Sequence, residues 1–111
     1  MEIAETEVND VLVLEPFGSI DSTNVKAFTA KLIDIVRACP RNLVIDFQKI
    51  KYISSAGFRS LLIIGKTIED TQRKLVLCGM ESEVQRVFDI ANLEELFVVC
   101  SSREDAVEKA K

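Results

Sequence analysis

Short apolar runs of strand length alternate with segments of helical period along nearly the whole chain, and this rhythm limits the possible folds more than any single motif. Ile3 to Val8 roughly alternates apolar and polar residues, Asn9-Asp10 supplies a tight turn, and Val11 to Leu14 resumes as a continuous apolar strand. Pro16 and Gly18 interrupt it. Asp21-Ser22 then offer side-chain oxygens for a helix start, and Val25, Phe28, Leu32, Ile35, Val36 and Cys39 recur at helical spacing up to Pro40. Leu43 to Phe47 reads as a buried strand, and after Tyr52-Ile53 the run Ser54-Ser55-Ala56-Gly57 leads into a second helix ending near Asp70. Lys74 to Cys78 is a third internal strand. Ser82 with Gln85 has the spacing of a capping box, ahead of Val84, Val87, Phe88 and Ala91 on one helical face. Phe97 to Cys100 forms a last strand, and Ser102 with Asp105 caps a terminal helix. Only Ala106, Val107 and Ala110 form its apolar face, so fraying is expected there. The order β-β-α-β-α-β-α-β-α predicts an α/β fold, a small mixed sheet with an opening hairpin, covered by about four helices.

With 111 residues, 48% of them hydrophobic, the expectation is one domain over residues 1–111. No Gly/Ser-rich stretch or proline cluster marks a linker, and no internal repeat is visible. A net charge of −4 argues against nucleic acid or an anionic membrane surface as a partner. Apolar runs such as Leu61 to Gly65 fall far short of the roughly 20 residues of a membrane span. The acidic opening Met1-Glu2 is unlike a targeting segment, so the reading is a cytoplasmic protein. Cys39, Cys78 and Cys100 match neither a disulfide framework nor a zinc pattern and read as reduced, mostly buried thiols. Without histidine, Ser-His-Asp and Cys-His pairs, His-ligated metals and histidine phosphotransfer are all excluded. No cofactor and no metal site is expected.

The most informative stretch is Tyr52-Ile53-Ser54-Ser55-Ala56-Gly57-Phe58-Arg59-Ser60-Leu61-Leu62, a strand-to-helix turn with two adjacent hydroxyls. A helix N-terminus stabilises an anion through unpaired N–H groups and the positive end of the dipole, so a phosphate on Ser55 would be well placed. Either serine would also serve as an ordinary helix cap. The following helix carries Phe58, Leu61, Leu62, Ile63, Ile64 and Ile68 on more than one face, as expected for a helix that presents apolar surface to a partner. Phosphorylation at its head would add about −1.5 to −2 charges where an interface must desolvate.

Asn42-Leu43-Val44-Ile45-Asp46-Phe47 followed by Tyr52-Ile53-Ser54-Ser55-Ala56-Gly57-Phe58 resembles the signature of STAS domains in anti-sigma-factor antagonists, and Gly18-Ser19-Ile20-Asp21 resembles the family's glycine and aspartate ahead of the first helix. The resemblance spans nearly the whole chain and implies the STAS fold. It implies that Ser55 is the phosphoacceptor, with Ser54 as second choice, flanked by Asp21 and Asp46. It further implies that the unphosphorylated chain binds a serine-kinase anti-sigma factor, freeing a sigma factor, that phosphorylation ends the binding, and that a metal-dependent serine phosphatase resets the switch. The implied partner surface comprises Gly18, Ser19, Asp21, Asp46, Ser54, Ser55, Ala56, Gly57, Phe58 and Arg59 on a monomer that forms hetero-complexes. Catalysis would belong to the partners. Ser54 replaces the usual aspartate and Ala56 a second hydroxyl residue, which removes a negative charge beside the acceptor.

Asp21 and Asp46 have ordinary alternatives as a helix cap and a strand-end bond to backbone amides. An enzyme lacks support, because no phosphate-cradling glycine loop or substrate-binding third group accompanies the carboxylates. A response-regulator receiver with Asp46 as acceptor would need an acidic pair after its first strand and a lysine after its last, but Leu14 is followed by Glu15-Pro16 and Cys100 by Ser101-Ser102. The main alternative is a STAS docking module of a transport or signalling assembly that works without phosphorylation.

Overall fold

A computed structural model describes residues 2–111. Strands β1 (Ile3–Val8) and β2 (Val11–Pro16) form the antiparallel opening hairpin, closed by Asn9 and Asp10, both at positive φ as the tight two-residue turn requires. Strands β4 (Leu43–Asp46), β6 (Leu75–Cys78) and β7 (Val98–Cys100) continue the sheet in parallel, in the order β1-β2-β4-β6-β7. The expected mixed sheet with an opening hairpin and four helices is therefore present.

Two strands were not anticipated. Gly18–Ile20 (β3) and Ile50–Ile53 (β5) pair in parallel as a separate two-stranded sheet, where the sequence pattern suggested only breaks and an approach to a helix. Their pairing joins segments some thirty positions apart, and Gly18 enters it at φ +97° with a register shift beside it. Neither segment is long enough to show a period of its own.

Helices α1 (Val25–Ala38), α2 (Ser55–Asp70) and α3 (Ser82–Ile90) cover one face of the large sheet, and α4 (Arg103–Ala110) covers the other. Period-two alternation divides the strands accordingly: Leu12, Leu14, Leu43, Ile45 and Leu77 join the core beneath α1, α2 and α3, whereas Val11, Val13, Val44, Val76 and Cys78 face α4. Phe88 lies between Phe58 and Phe97, at ring-centre distances of 5.8 and 5.9 Å, and pins α3 to α2.

Three local expectations are revised. The Ser82–Gln85 capping box does not form, because Glu81 holds the cap position and Ser82 is already the first helical residue. Helix α1 starts at Val25 rather than at Asp21-Ser22, which build a turn ahead of it. The terminal helix is not frayed: Ala106, Val107 and Ala110 are all buried against the second face of the sheet, and Ser102 accepts from the Asp105 N–H at 3.2 Å as the cap. Three small apolar residues suffice because the sheet beneath them is itself apolar.

Arg73, just after α2, closes the C-terminus of α1. Its guanidinium donates to the carbonyls of Val36 (2.9 Å) and Cys39, which the end of the helix leaves without intrahelical donors, and to that of Arg41 in the following loop.

Candidate functional site

The head of α2 and the end of β3 meet because the Ser54 N–H donates to the Ile20 carbonyl at 2.8 Å, which carries Asp21 to the side of the two serines. The approach is close. A Cβ on Gly57 would lie 2.6 Å from Ile53 Cγ1 and 2.9 Å from Ile20 Cγ2, so only glycine lets the first turn of α2 settle onto β3 and β5.

The two hydroxyls have different environments. Ser54 is the helix cap, with extended backbone and its Oγ accepting from the Gly57 N–H at 3.2 Å. Ser55 is the first residue of the helix and is exposed, and its hydroxyl takes part in no hydrogen bond among the described residues. The first turn of α2 contains no acidic residue, so nothing there offsets the positive end of the dipole.

The loop leading into α1 is held by its own side chains. Asn24 Nδ2 donates to the Ser19 carbonyl at 2.7 Å while its Oδ1 accepts from the Asp21 N–H at 2.9 Å. Asp21 accepts from the hydroxyl of Thr23 and, at 2.9 Å, from its backbone N–H. These bonds, the hydroxyl's first, hold the Asp21 carboxyl below its ordinary value.

Asp21, Ser54, Ser55, Ala56 and Arg59 thus share one surface with Gly18 and Ser19, all of them exposed or half-buried. Three of the residues anticipated there occupy other positions. Gly57 is packed under the helix, and Phe58 is 6% exposed and stacked toward Phe88. Asp46 is 2% exposed and points to the α4 face, where its carboxylate accepts from Arg103 Nε at 2.9 Å and from the Gln48 N–H at 2.9 Å. Alternation along β4 puts it on the face opposite to α2, so Asp21 and Asp46 do not flank Ser55 together.

The surface also has members that sequence reasoning missed. Lys26 and Thr29 come from α1 and line it beside Ala56 and Arg59, and Tyr52, opposite Ser19 in the β3–β5 pair, is 56% exposed. Nothing in their local pattern marks them, since the pairing of β3 with β5 and of α1 with α2 brings them there. Across the α1–α2 seam, Thr29 and the buried Ser60 share a hydrogen bond, and an open groove of about 500 Å³ runs above it. No cluster of potential metal ligands exists among the described residues, and no helix is long and apolar enough to cross a membrane.

The site therefore presents an exposed hydroxyl at a helix head beside apolar and cationic groups. Comparison with known proteins agrees on the family. The profile of the STAS domain matches residues 2–106. A Bordetella bronchiseptica protein, BtrV, named provisionally as an anti-sigma factor antagonist, is 33% identical over 106 residues, covering 96% of this chain and 91% of its own length. Among solved structures, a Thermotoga maritima protein with the same provisional name superposes with a TM-score of 0.90 at 19% identity, over 97% of this chain and 93% of that one. The Bacillus cell fate determinant SpoIIAA in its phosphorylated form superposes with a TM-score of 0.71 at 17% identity, over 99% of this chain and all (100%) of that one.

Proposed function

This chain belongs to the STAS domain family, and from that premise we propose that it is an anti-sigma factor antagonist whose binding is switched off by phosphorylation of Ser55. The observation that carries this reading is the division of labour at the head of α2: Ser54 is committed to the cap, and Ser55 stands exposed one residue further on with a free hydroxyl. The 33% identity to BtrV and the phosphorylated state of the SpoIIAA fold relative support it.

In the unphosphorylated state the chain offers the Gly18–Asp21 loop, Ser55, Ala56 and Arg59 to a serine-kinase anti-sigma factor, and docking releases the sigma factor. The kinase then transfers the γ-phosphoryl group of ATP to Ser55 Oγ, so that the Oγ–P bond forms as the bond to the departing ADP breaks, and the hydroxyl proton leaves to a base of the kinase. A dianionic group at the centre of a surface that must shed water weakens the complex. A loss of about 3 kcal/mol lowers affinity roughly a hundredfold, enough to release the partner at ordinary concentrations. A metal-dependent serine phosphatase restores the hydroxyl. The protein works in the cytoplasm as one STAS domain and as a monomer between complexes.

The test is intact mass and phosphopeptide mapping of the protein from its native cells, with and without phosphatase treatment. A phosphatase-sensitive gain of about 80 Da, the mass of one phosphoryl group, on Ser55 is the expected result. Absence of phosphate under every growth condition would replace the switch with a constitutive docking module, a reading to which the exposed Leu62 and Ile63 of α2 also lend themselves.

A further inference from the structure

The overall charge of −4 conceals a cationic rim beside Ser55. Lys26 of α1 and Arg59 of α2 face one another across the groove between these helices, whose walls include Val25, Ala30, Ala56 and Ile63. Both cations are exposed, and neither takes part in an ion pair among the described residues, although other cations of the chain do: Arg41 with Glu7, Arg103 with Asp46 and Glu15, Lys111 with Glu108. An apolar trough with two uncompensated cations on its rim is complementary to an apolar side chain flanked by carboxylates.

Arg59 also stands four residues after Ser55 on α2. Helical side chains lean toward the N-terminus, so a guanidinium at position 59 is within reach of position 55 one turn before it, and its fork of N–H donors suits a phosphate as well as a carboxylate. We propose that Arg59 serves two rival anions: with Lys26 it holds a carboxylate of an acidic partner segment whose apolar side chain enters the α1–α2 groove, and a phosphate on Ser55 withdraws it from that task. This rests on the reading of Ser55 as the modified residue. It adds that the phosphate acts by capturing a binding residue of its own chain, and not by repulsion alone.

The test uses the full chain with phosphoserine placed at position 55 by genetic encoding, so that it is independent of any kinase, alongside the unmodified chain and Arg59→Gln versions of both. In ³¹P NMR, Arg59 is expected to lower the second phosphate pKa by about 0.3 of a pH unit relative to Arg59→Gln. An end-capped Glu-Leu-Leu-Glu peptide, titrated to about 5 mM in ¹H–¹⁵N spectra, is expected to shift the amides lining the groove. A Lys-Leu-Leu-Lys peptide should leave them in place. Arg59→Gln should weaken the acidic peptide about threefold, and phosphate should weaken it further in the wild type than in Arg59→Gln. A phosphate pKa indifferent to Arg59, no groove shifts, equal binding of the basic peptide, or a phosphate effect as large in Arg59→Gln as in the wild type would each overturn the proposal. Phosphopeptide mapping judges the underlying reading separately, because it asks whether cells modify Ser55 and not what the phosphate touches.

Discussion

Arg103 Nε lies 2.9 Å from Asp46 Oδ2 and its Nη2 lies 3.2 Å from Glu15 Oε2, so one guanidinium at the start of α4 ties together the ends of β4 and β2. Opposed effects meet on Arg103: burial, the largest single one, disfavours its charge, and the Asp46 hydrogen bond together with the negative charges of Asp46 and Glu15 outweighs it, leaving its pKa raised. Removing the cation strands a carboxylate that is 2% exposed. Arg103→Ala should therefore lose about 2 kcal/mol in urea denaturation, somewhat less than the cost of breaking a fully buried pair. Asp46→Asn should lose less than Arg103→Ala, because the amide still accepts from Gln48 and no buried charge remains.

The two serines at the head of α2 should separate in a stability measurement. Ser54→Ala removes the acceptor of the Gly57 N–H and should cost about 1 kcal/mol. Ser55→Ala, at an exposed first-turn position, should stay within about 0.5 kcal/mol of wild type. Equal losses would contradict the assignment of cap and free hydroxyl.

Arg73→Met keeps the stem but deletes the donors that close α1. With the carbonyls of Val36, Cys39 and Arg41 left to water or to nothing, a loss of about 2 kcal/mol is expected. Hydrogen exchange should be fastest in the last turn of α1, around Ile35 to Cys39, while the opening hairpin stays protected.

Asp21 should titrate below its ordinary 3.8 when followed through the Thr23 amide shift. The sign follows from the depressed folded value: the bonds favour the carboxylate, so their contribution is complete above the unfolded pKa and disappears as pH falls through the folded one. Thr23→Ala should move the midpoint back up. An unshifted titration in the wild type would remove the cause given above.

Burial, with the Asp46 carboxylate second, pushes the Cys78 thiol from 9.0 up to about 12. The raised folded value means that this stability is intact below 9.0 and is lost as pH rises toward 12. At mildly alkaline pH a thiol-reactive disulfide should modify the half-buried Cys39 and Cys100 well before Cys78, and reach Cys78 at comparable speed only after denaturation.

What was legible in the sequence followed from periods that repeat several times. The hairpin at Asn9-Asp10, the helices over Phe28–Val36 and Val84–Phe88, and the apolar strand Leu43–Asp46 each repeat their pattern often enough to be read locally. The strands β3 and β5 have three and four residues and exist through each other, so their pairing is a property of the fold and not of either segment. The same reason hid Asp46. Its position after Ile45 is plain, but which face it takes depends on the pleat of β4 and on a helix 57 residues further along that brings Arg103 to it. A continuous apolar run such as Leu43-Val44-Ile45 fits a sheet covered on both sides, and the terminal helix, legible from its Ser102 cap but expected to fray, is the second cover.

That second cover also sets an order of events on the ribosome. The surface around Ser55 is assembled from residues between Gly18 and Ile63 through the pairings of β3 with β5 and α1 with α2, with Phe58 of α2 also resting on Phe88 of α3. The opposite face of the sheet is sealed only when residues 103 to 110 have emerged, because Val11, Val13, Val44 and Val76 have α4 as their roof. Until α4 has packed, that side of the sheet stays bare, and chaperone contact with a chain that still lacks this cover belongs on the α4 face.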